Sequence, residues 1–457
     1  MIDTKVKKFV YMPTTPVGTI IADLYRKDST IALICNTKGV LLGIATLSDI
    51  KQALLRGVDR QAPVSKVMKT EYTFARKGTS EVELKKLATK ANPLKTGKLR
   101  NIPIIDEKKH LIGLYRLPNG IHNEKTTVLV TGGAGYIGSH LCRLLLKEGY
   151  RVVVLDKLLF GDAGVKELRT HPDFSLIHGD IGDIGTLINA IQKADAVVHL
   201  AGIVGDPASA LNPVQTMEEN HFATKMLIDL AEHYQVSRFV FASSCSVYGA
   251  SDVHLDETSE LNPVSLYAQS KVYSERELLK AAGEYFSPVI LRFGTVYGLS
   301  PRMRFDLVVN TMTAHGYFNK KITVDGGAQW RPLLHVEDAA RACLAVLQAP
   351  LHKVSGQIFN VGDSNENYQI AQIAKHVGAQ LPRSSVTHLD TVKDLRNYHV
   401  SFKKINKNLG FKTKHSLKQK IADLIREFKR GKFKDWKDKR YSNYLTLRNE
   451  LEKVSVE

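Results

Sequence analysis

The sequence predicts an α/β protein in which a parallel, doubly wound sheet with a smaller C-terminal domain follows an α+β module. Two patterns lead to this prediction. From residue 127 onward, short β-branched apolar runs alternate with helical patterns, which is typical of parallel sheets. Residues 1–120 instead contain an internal repeat of helix, strand, turn and strand. With 457 residues, of which 43% are hydrophobic, the chain is long enough for more than one core.

The composition indicates in which part of the cell the protein is expected. The sequence contains no apolar run near the roughly 18 residues that a membrane span requires. Its N-terminus lacks the apolar core of a secretory signal, so we expect a cytoplasmic protein without membrane contact. The cysteines are widely separated, which indicates reduced thiols and predicts neither a disulfide framework nor a metal site. They are Cys35, Cys142, Cys245 and Cys343.

The net charge of +18 is concentrated at the two ends of the chain. Residues 1–126 hold 23 basic and 11 acidic residues, and residues 402–457 hold 17 and 7. Charge alone would allow nucleic-acid binding. However, the lysines are dispersed among acids, with no accompanying pattern of stacking aromatics or zinc ligands. A solvated basic face is therefore the favoured interpretation, and a nucleic-acid partner is not expected.

The N-terminal repeat pairs residues 40–46 with residues 111–116, each after a turn and an apolar strand and each preceded by a helix-like segment. This order resembles a pair of CBS domains over residues 8–118. In that family a Thr or Ser, followed three residues later by Asp, holds the ribose of an adenine nucleotide. Thr46 and Asp49 match this pattern, which implies a regulatory site for AMP, ADP or ATP. Alternatively, Asp49 only caps a helix.

A glycine-rich turn follows the apolar strand predicted at residues 127–131. Gly132, Gly135 and Gly138 are spaced so that the backbone turns tightly, approaches a pyrophosphate and then starts a helix, whose N-terminus attracts the anion. The next strand ends in Asp156. An acid at this position accepts hydrogen bonds from the adenosine ribose and repels a 2′-phosphate. The sequence therefore predicts NAD rather than NADP.

Further strands end in residues suited to a dinucleotide channel. The strand at 174–178 leads to Gly179, Asp180 and Ile181, and Asp180 is placed to receive the adenine amino group. In a parallel doubly wound sheet, ligands bind at the carboxyl ends of the strands. The strand near residues 196–200 accordingly contributes the channel residues Leu200, Ala201 and Gly202.

Tyr267 and Lys271 are four residues apart and so share one face of a helix. A nearby ammonium stabilises tyrosinate and lowers its pKa, which would let the phenol act as a base. Ser244, at the end of a neighbouring strand, can relay the proton. These three residues form the predicted catalytic group.

Together these motifs resemble the extended short-chain dehydrogenase/reductase family of NAD-dependent sugar-nucleotide epimerases and dehydratases. The resemblance implies a Rossmann-type sheet, NAD as cofactor, a nucleotide-diphosphate sugar as substrate, a homodimer or homotetramer, and a place in polysaccharide biosynthesis. It extends from residue 126 to about residue 430. The matching segments, in the family's order, are 131–138, Asp156, 179–180, 199–202, 243–249, Tyr267 with Lys271, 291–298, 330–338 and 359–362.

The resemblance also implies roles for single residues. Tyr267 is the base, Lys271 lowers its pKa and holds the nicotinamide ribose, and Ser244 orients the reacting hydroxyl. Arg331 falls where the family grips the substrate pyrophosphate, a task suited to guanidinium. Asn220 falls at an active-site asparagine of the family, or is a solvent-facing helix residue. The other implied contacts are Tyr136 and Ile137 with the cofactor and Ser246 with the substrate.

The residues after Ser244 discriminate between reactions. Dehydratases of this family carry an Asp-Glu pair there, because eliminating water needs an acid and a base besides the tyrosine. Here the two positions are Cys245 and Ser246, and strand alternation turns Cys245 away from Ser244 and into the core. We therefore expect epimerisation at the sugar 4-position through a transient 4-keto sugar. A 4-keto reductase, a 4,6-dehydratase and a nucleotide-sensing regulatory protein are the alternatives.

The C-terminal part contains an amphipathic helix at residues 416–429, which we expect to close the substrate domain. Arg302 and Arg304 either meet phosphate or a sugar carboxylate, or are surface arginines. The predicted domains are residues 1–120, residues 126–430 and a basic tail of residues 431–457 without an assigned role, with a linker at residues 118–125.

Overall fold

The computed structural model describes residues 2–3, 6–26, 31–46, 49–50, 53–54, 56–89, 101–116, 126–234, 236, 238–283, 286–389 and 396–454. These residues divide into two compact units, 1–124 and 125–457. The predicted linker at 118–125 lies outside the described residues. No helix in the described ranges is long and apolar enough to cross a membrane.

The first unit contains the same strand and helix pattern twice. Its strands are Ile2–Asp3 (β1), Val10–Tyr11 (β2), Ile31–Cys35 (β3), Leu41–Thr46 (β4), Ala75–Arg76 (β5), Asn101–Ile105 (β6) and Leu111–Arg116 (β7), and its helices include Val17–Arg26 (α1) and Glu81–Thr89 (α2). In each copy a strand pairs in parallel with the next strand across the helix, and that second strand forms an antiparallel hairpin. The helix–strand–turn–strand repeat is thus confirmed, and each copy also includes a short strand before the helix.

The second unit is built on a seven-stranded parallel sheet. Its strands follow the order β10-β9-β8-β11-β12-β14-β18. The order reverses between β8 and β11, so the carboxyl ends of the strands on either side leave a crevice there. The strands of this sheet are Thr127–Thr131 (β8), Arg151–Asp156 (β9), Phe174–His178 (β10), Ala196–His199 (β11), Arg238–Ser244 (β12), Ser287–Phe293 (β14) and Gln357–Val361 (β18).

Helices cover both faces of this sheet, because the side chains of each strand point alternately to the two sides. The helices of the unit are Gly138–Lys147 (α3), Ile184–Ile191 (α4), Asp206–Ser209 (α5), Pro213–Met217 (α6), Ala223–His233 (α7), Leu266–Ala281 (α8), Val308–Ala314 (α9), Val336–Gln348 (α10), Leu351–Val354 (α11), Ile370–Gln380 (α12), Lys403–Leu409 (α13), Leu417–Lys429 (α14) and Asn443–Val454 (α15). Val128 and Val130 of β8 join the core under α3 and α10, whereas Leu129 joins the core under α4, α7 and α8. The predicted parallel doubly wound sheet is confirmed.

Smaller sheets form the C-terminal part of the unit. β15 pairs with β17, which pairs with β19, while β16 pairs with β20 and β13 with β21. The predicted amphipathic helix is confirmed as α14, whose apolar side packs with α9 and α12. The strands are Ala250–Leu255 (β13), Thr295–Tyr297 (β15), Lys321–Asp325 (β16), Trp330–His335 (β17), Asn367–Gln369 (β19), Ser385–Leu389 (β20) and Asn397–Val400 (β21).

Residues 431–457, predicted as a basic tail, contribute aromatic side chains to the core of the second unit in their described part. Trp436 is buried in a cluster with Phe305 and Phe428, and Phe433 and Tyr441 pack against it. The basic residues between these aromatics face outward, which is why the segment looks like a solvated tail in the sequence. The described part of the segment instead belongs to the second unit and ends in helix α15.

Candidate active site

A pocket lies at the carboxyl ends of β8, β9, β11 and β12. Its lining includes the glycine turn, the strand ends, two residues of α8 and one residue of α15. All of the predicted cofactor residues line it: Gly132, Gly135, Tyr136, Ile137, Gly138, Asp156, Asp180, Ile181, Leu200, Ala201, Gly202 and Lys271. Parallel pairing produces this convergence, because it brings the carboxyl ends of all these strands to one edge.

The glycine turn admits no side chain at its first or last glycine. Gly132 has φ +72°, and a Cβ there would lie 2.7 Å from the Ala201 backbone nitrogen. A Cβ on Gly138 would lie 2.3 Å from the Gly132 carbonyl oxygen. Helix α3 begins at Gly138, so its first N–H groups are close to the pocket. This cradle fits a pyrophosphate held by backbone donors.

Asp156 connects the glycine turn to the end of β9. Its carboxylate accepts hydrogen bonds from the Ala134 N–H at 2.9 Å and the Leu158 N–H at 2.8 Å. Burial raises the pKa of Asp156, and the two backbone donors act in the opposite direction. The carboxylate lines the pocket, which is the position that binding an adenosine ribose would require.

Asp180 forms an ion pair with Lys157 at 2.9 Å. Burial tends to raise its pKa, but the hydrogen bonds from Lys157 and the Gly182 N–H outweigh burial, and the net shift is downward. The carboxylate is therefore held ionised beside the pocket by neighbouring donors.

Tyr267 and Lys271 enter the pocket from one face of α8, as predicted from their spacing. The Lys271 Nζ lies 4.7 Å from the ring centre of Phe241 and 5.8 Å from that of Tyr267. Ser244 ends β12, and its Oγ accepts hydrogen bonds from the Ser246 N–H at 3.1 Å and the Ser246 hydroxyl at 2.9 Å. Ser244 also hydrogen-bonds Tyr267. A phenol, an ammonium and two hydroxyls thus converge.

The pKa of Tyr267 shifts in the direction opposite to the prediction. Burial raises it above its usual value and the Asp206 carboxylate raises it further, whereas Ser244 and the charge of Arg304 lower it. Burial also lowers the pKa of Lys271 to about 8, against the opposing effect of Glu275. The spacing of the two residues in the sequence did not reveal this, because it does not report how much water each group loses on burial.

Two predicted substrate residues lie outside the pocket lining. Asn220 is 1% exposed, and its amide accepts from the Ile203 N–H at 2.7 Å and donates to the Ile203 carbonyl at 2.9 Å. Arg331 is 4% exposed and donates to the carbonyls of Trp330 and Arg396 at 2.8 and 2.6 Å. In this arrangement both side chains hydrogen-bond backbone groups. Each positions backbone next to the pocket.

The pocket also contains residues that sequence reasoning left open or missed. Arg302 and Arg304 are pocket residues rather than surface arginines, with 5% and 8% exposure. Asp206, Arg396 and Asn443 line the pocket as well. The Arg-x-Arg spacing was the available signal for the first two. Asn443 has no local signal, because it reaches the pocket from the C-terminal helix.

Cys245 lies in the core, as strand alternation predicted. It is 0% exposed, its thiol contacts the Arg292 carbonyl at 3.3 Å, and burial raises the pKa of the thiol. Ser246, by contrast, lines the pocket. The two positions that would carry a dehydratase's acidic pair thus present one hydroxyl to the pocket.

A His–Glu–His group lies outside the pocket lining. Ligand-type atoms of His335, Glu337 and His415 lie within 4.8 Å of one another. His415 pairs with Glu337 at 2.9 Å, and the His335 Nδ1 accepts the Glu337 N–H at 3.3 Å as the cap of α10. An ion pair and a helix cap account for this arrangement.

In the first unit, Thr46 and Asp49 bond to each other. The Asp49 carboxylate accepts from the Thr46 N–H at 3.0 Å and the Thr46 hydroxyl at 2.7 Å, and the Asp49 N–H donates to the Thr46 Oγ at 3.2 Å. Lys69 forms an ion pair with the same carboxylate. Reciprocal bonds of this kind are those of a helix cap. The alternative interpretation of Asp49 thus has direct structural support.

The fold and the pocket define a dinucleotide-dependent enzyme with a tyrosine–lysine–serine group. Residues 128–362 match the model of the NAD dependent epimerase/dehydratase family. The chain belongs to this NAD-dependent family, and the pocket lining described above fits its cofactor.

Similar proteins include both epimerases and dehydratases. Human dTDP-D-glucose 4,6-dehydratase is 30% identical over 343 residues, which cover 71% of this chain and 95% of that protein. The UDP-glucose 4-epimerase of Bacillus subtilis (strain 168) is 28% identical over 328 residues, 65% and 96% of the two chains. The structure of Bacillus cereus UDP-glucuronic acid 4-epimerase with UDP-glucuronic acid and NAD has a TM-score of 0.60 at 26% identity, covering 66% of this chain and 100% of that one. The comparisons thus leave the reaction open between two types.

Proposed function

We propose that the second unit epimerises a nucleotide-diphosphate sugar at C4 through a transient 4-keto sugar. The observation that carries this proposal is the pair of residues after Ser244. Cys245 is buried in the core, and Ser246 offers only a hydroxyl to the pocket. Asp206 is the pocket carboxylate that influences Tyr267, and Ser265 and Arg396 hold it at 2.7 and 2.9 Å. The two positions that follow Ser244 therefore supply no acid or base for the elimination of water.

The residues of the chain then act as follows. Tyr267, as phenolate, removes the proton of the 4-hydroxyl while Ser244, oriented by Ser246, holds that hydroxyl. Lys271 keeps a positive charge next to the phenol. When bound, NAD supplies reversible hydride acceptance at the same carbon. After the keto sugar has rotated in the pocket, Tyr267 returns the proton to the sugar oxygen. The product then differs from the substrate only in configuration.

A second candidate is a 4,6-dehydratase, which the 30% identity to the human dehydratase favours. In that case Asp206 would have to act as an acid or base, although its carboxylate is held by two partners. The two candidates predict products of different mass, which makes them separable in one experiment.

We expect the purified protein, incubated with UDP-, GDP-, dTDP-, CDP- and ADP-sugars, to yield a new sugar of unchanged mass. Mass spectrometry and proton NMR would identify the product, first without and then with added NAD. The Tyr267→Phe variant serves as the control for contaminating activity. Loss of one water from any sugar would reject epimerisation in favour of the second candidate.

We also propose that the first unit is a CBS pair that binds an adenine nucleotide at Thr46 and Asp49 and regulates the enzyme, and that the protein is a homodimer or homotetramer. The repeated strand–helix–strand–strand pattern supports the assignment of the first unit as a CBS pair. A ribose would compete with the cap for the Asp49 carboxylate. The coupling between two such sites is typically worth about 1–3 kcal/mol.

Titration with AMP, ADP or ATP is expected to raise the thermal midpoint and to change substrate affinity by about 5- to 150-fold. Asp49→Asn should abolish both responses. Asp106→Asn is the control, because Asp106 bonds His110 within the hairpin turn between β6 and β7 and does not follow the second strand of a hairpin as Asp49 does. If wild-type protein shows neither response to any of the three nucleotides, Asp49 is a helix cap only.

A further inference from the structure

Arg302 is a buried cation of the pocket with no carboxylate partner among the described residues. It is 5% exposed. The other positively charged side chains of the pocket lining either have an acid at ion-pair distance or belong to the catalytic group. These are Lys157 with Asp180 and Glu219, Arg304 with Asp306, Arg396 with Asp206, and the catalytic Lys271.

Two neighbours hold the Arg302 guanidinium in place. One Nη donates to the Asn443 Oδ1 at 2.7 Å, and the Cζ lies 3.9 Å from the ring centre of Phe160. The Nε is buried and has no hydrogen-bond partner in the described part of the chain. Asn443 is itself fixed, since its amide donates to the Val204 carbonyl at 3.0 Å and its N–H to Asp306 at 2.8 Å.

Such an arrangement is costly for the protein alone. A buried guanidinium without a counter-charge loses hydration, and burial accordingly lowers the pKa of Arg302 to about 9. Its planar fork matches the oxygens of a phosphate group. An anionic ligand in the pocket would supply both the missing charge and an acceptor for the unpartnered N–H.

The surroundings of Arg302 place it on the dinucleotide side of the pocket. Phe160 follows β9 and Asp156 along the chain, and Tyr136 belongs to the glycine turn. The charge of Arg302 opposes the effect of burial on the pKa of both Asp156 and Tyr136. Arg302 therefore lies near the end of the pocket that the glycine turn and the β9 acid form.

We propose that Arg302, positioned by Phe160 and Asn443, binds the pyrophosphate of the dinucleotide opposite the glycine turn. The inference rests on the proposed dinucleotide site. It gives the C-terminal segment a function, since Asn443 of α15 carries the Arg302 contact and the aromatics of residues 433–441, which precede that helix, pack into the core. The segment thus acts in cofactor retention, at a distance from the reacting atoms.

The test compares ligands with and without phosphate on folded variants. NAD, ADP, adenosine and UDP are titrated into wild-type protein, Arg302→Met, Arg302→Lys and Asn443→Ala, and the NAD retained by each purified variant is measured. Arg302→Met is expected to weaken the binding of NAD and ADP by about 10- to 100-fold and to leave the binding of adenosine within about twofold of wild type. For Arg302→Lys and Asn443→Ala, the affinities for NAD and ADP should lie between those of wild type and Arg302→Met. Arg440→Met, an exposed arginine of the same segment, is the control.

Each other outcome overturns the proposal. Weaker binding of UDP with unchanged binding of NAD would assign Arg302 to the substrate phosphates. Equal weakening of adenosine and NAD would indicate a general distortion of the pocket, and no change would make Arg302 a structural residue. Thermal midpoints without ligand show whether each variant folds. Because binding is measured without turnover, the result does not depend on whether the sugar reaction is an epimerisation.

Discussion

Replacing Tyr267 with Phe is expected to lower kcat by about 10²- to 10⁴-fold while NAD remains bound. The substitution removes only the phenolic oxygen, which Ser244 hydrogen-bonds, and leaves the ring, whose centre lies 5.8 Å from the Lys271 Nζ. The residues that line the dinucleotide end of the pocket are untouched. Turnover of the sugar identified above and the NAD content of the purified variant are the two measurements.

Tyr273→Phe provides the matched control. Tyr273 lies on the same helix, but its side chain is 40% exposed, so losing its hydroxyl should leave kcat within about twofold. A Tyr267→Phe variant that keeps more than a tenth of wild-type turnover would show that another group is the base.

The direction of the Tyr267 pKa shift predicts how kcat changes with pH. Burial raises the pKa of the Tyr267 phenol, so the phenolate is scarce at neutral pH and increases as pH rises. Wild-type kcat should therefore rise toward alkaline pH, and the residual activity of Tyr267→Phe should lose this rise. Lys271, whose pKa is about 8, loses its charge over the same range and will limit the increase.

The parts of the fold and site that depend on local pattern could be predicted from the sequence. Apolar runs that end in Asp156 or Ser244 define buried strands and their carboxyl ends, and parallel pairing then brings those ends together. The four-residue spacing of Tyr267 and Lys271 fixes their common face on any helix. None of these inferences needs knowledge of a distant neighbour.

The remaining features depend on partners far apart in the chain. Asn220 bonds the backbone of Ile203, and Arg331 bonds the carbonyl of Arg396, 65 positions away. Arg302 meets Asn443 141 positions away. The sign of the Tyr267 shift likewise depends on burial, which a spacing does not report. The resemblance to the family therefore predicted correctly which residues lie in or near the pocket. It did not predict which side-chain atoms face the pocket.

The largest loss of stability is expected at an ion pair beneath the active site. Glu275 and Arg292 have side chains that are 2% and 3% exposed and meet at 2.7 Å. Glu275 also accepts a hydrogen bond from Ser243, next to Ser244, while Arg292 donates to Tyr248 at 3.0 Å. Removing one partner leaves a buried charge without compensation, so Glu275→Ala should lower the free energy of unfolding by about 3–5 kcal/mol.

Denaturant unfolding of the full chain can report on this unit selectively, because both tryptophans, Trp330 and Trp436, lie in it. An exposed ion pair is the control: Asp229→Asn, which breaks the Lys225 pair, should cost less than about 1 kcal/mol. The expectation fails if Glu275→Ala costs no more than Asp229→Asn.

The double variant Glu275→Leu/Arg292→Met separates charge from packing. Leaving no charge behind, it should unfold at a higher denaturant concentration than Glu275→Ala, even though it removes two polar side chains. If it is less stable than the single variant, the hydrogen bonds to Ser243 and Tyr248 contribute more than the buried charge costs. In either case the pair couples stability to function, because the carboxylate that balances Arg292 also bonds the residue preceding Ser244.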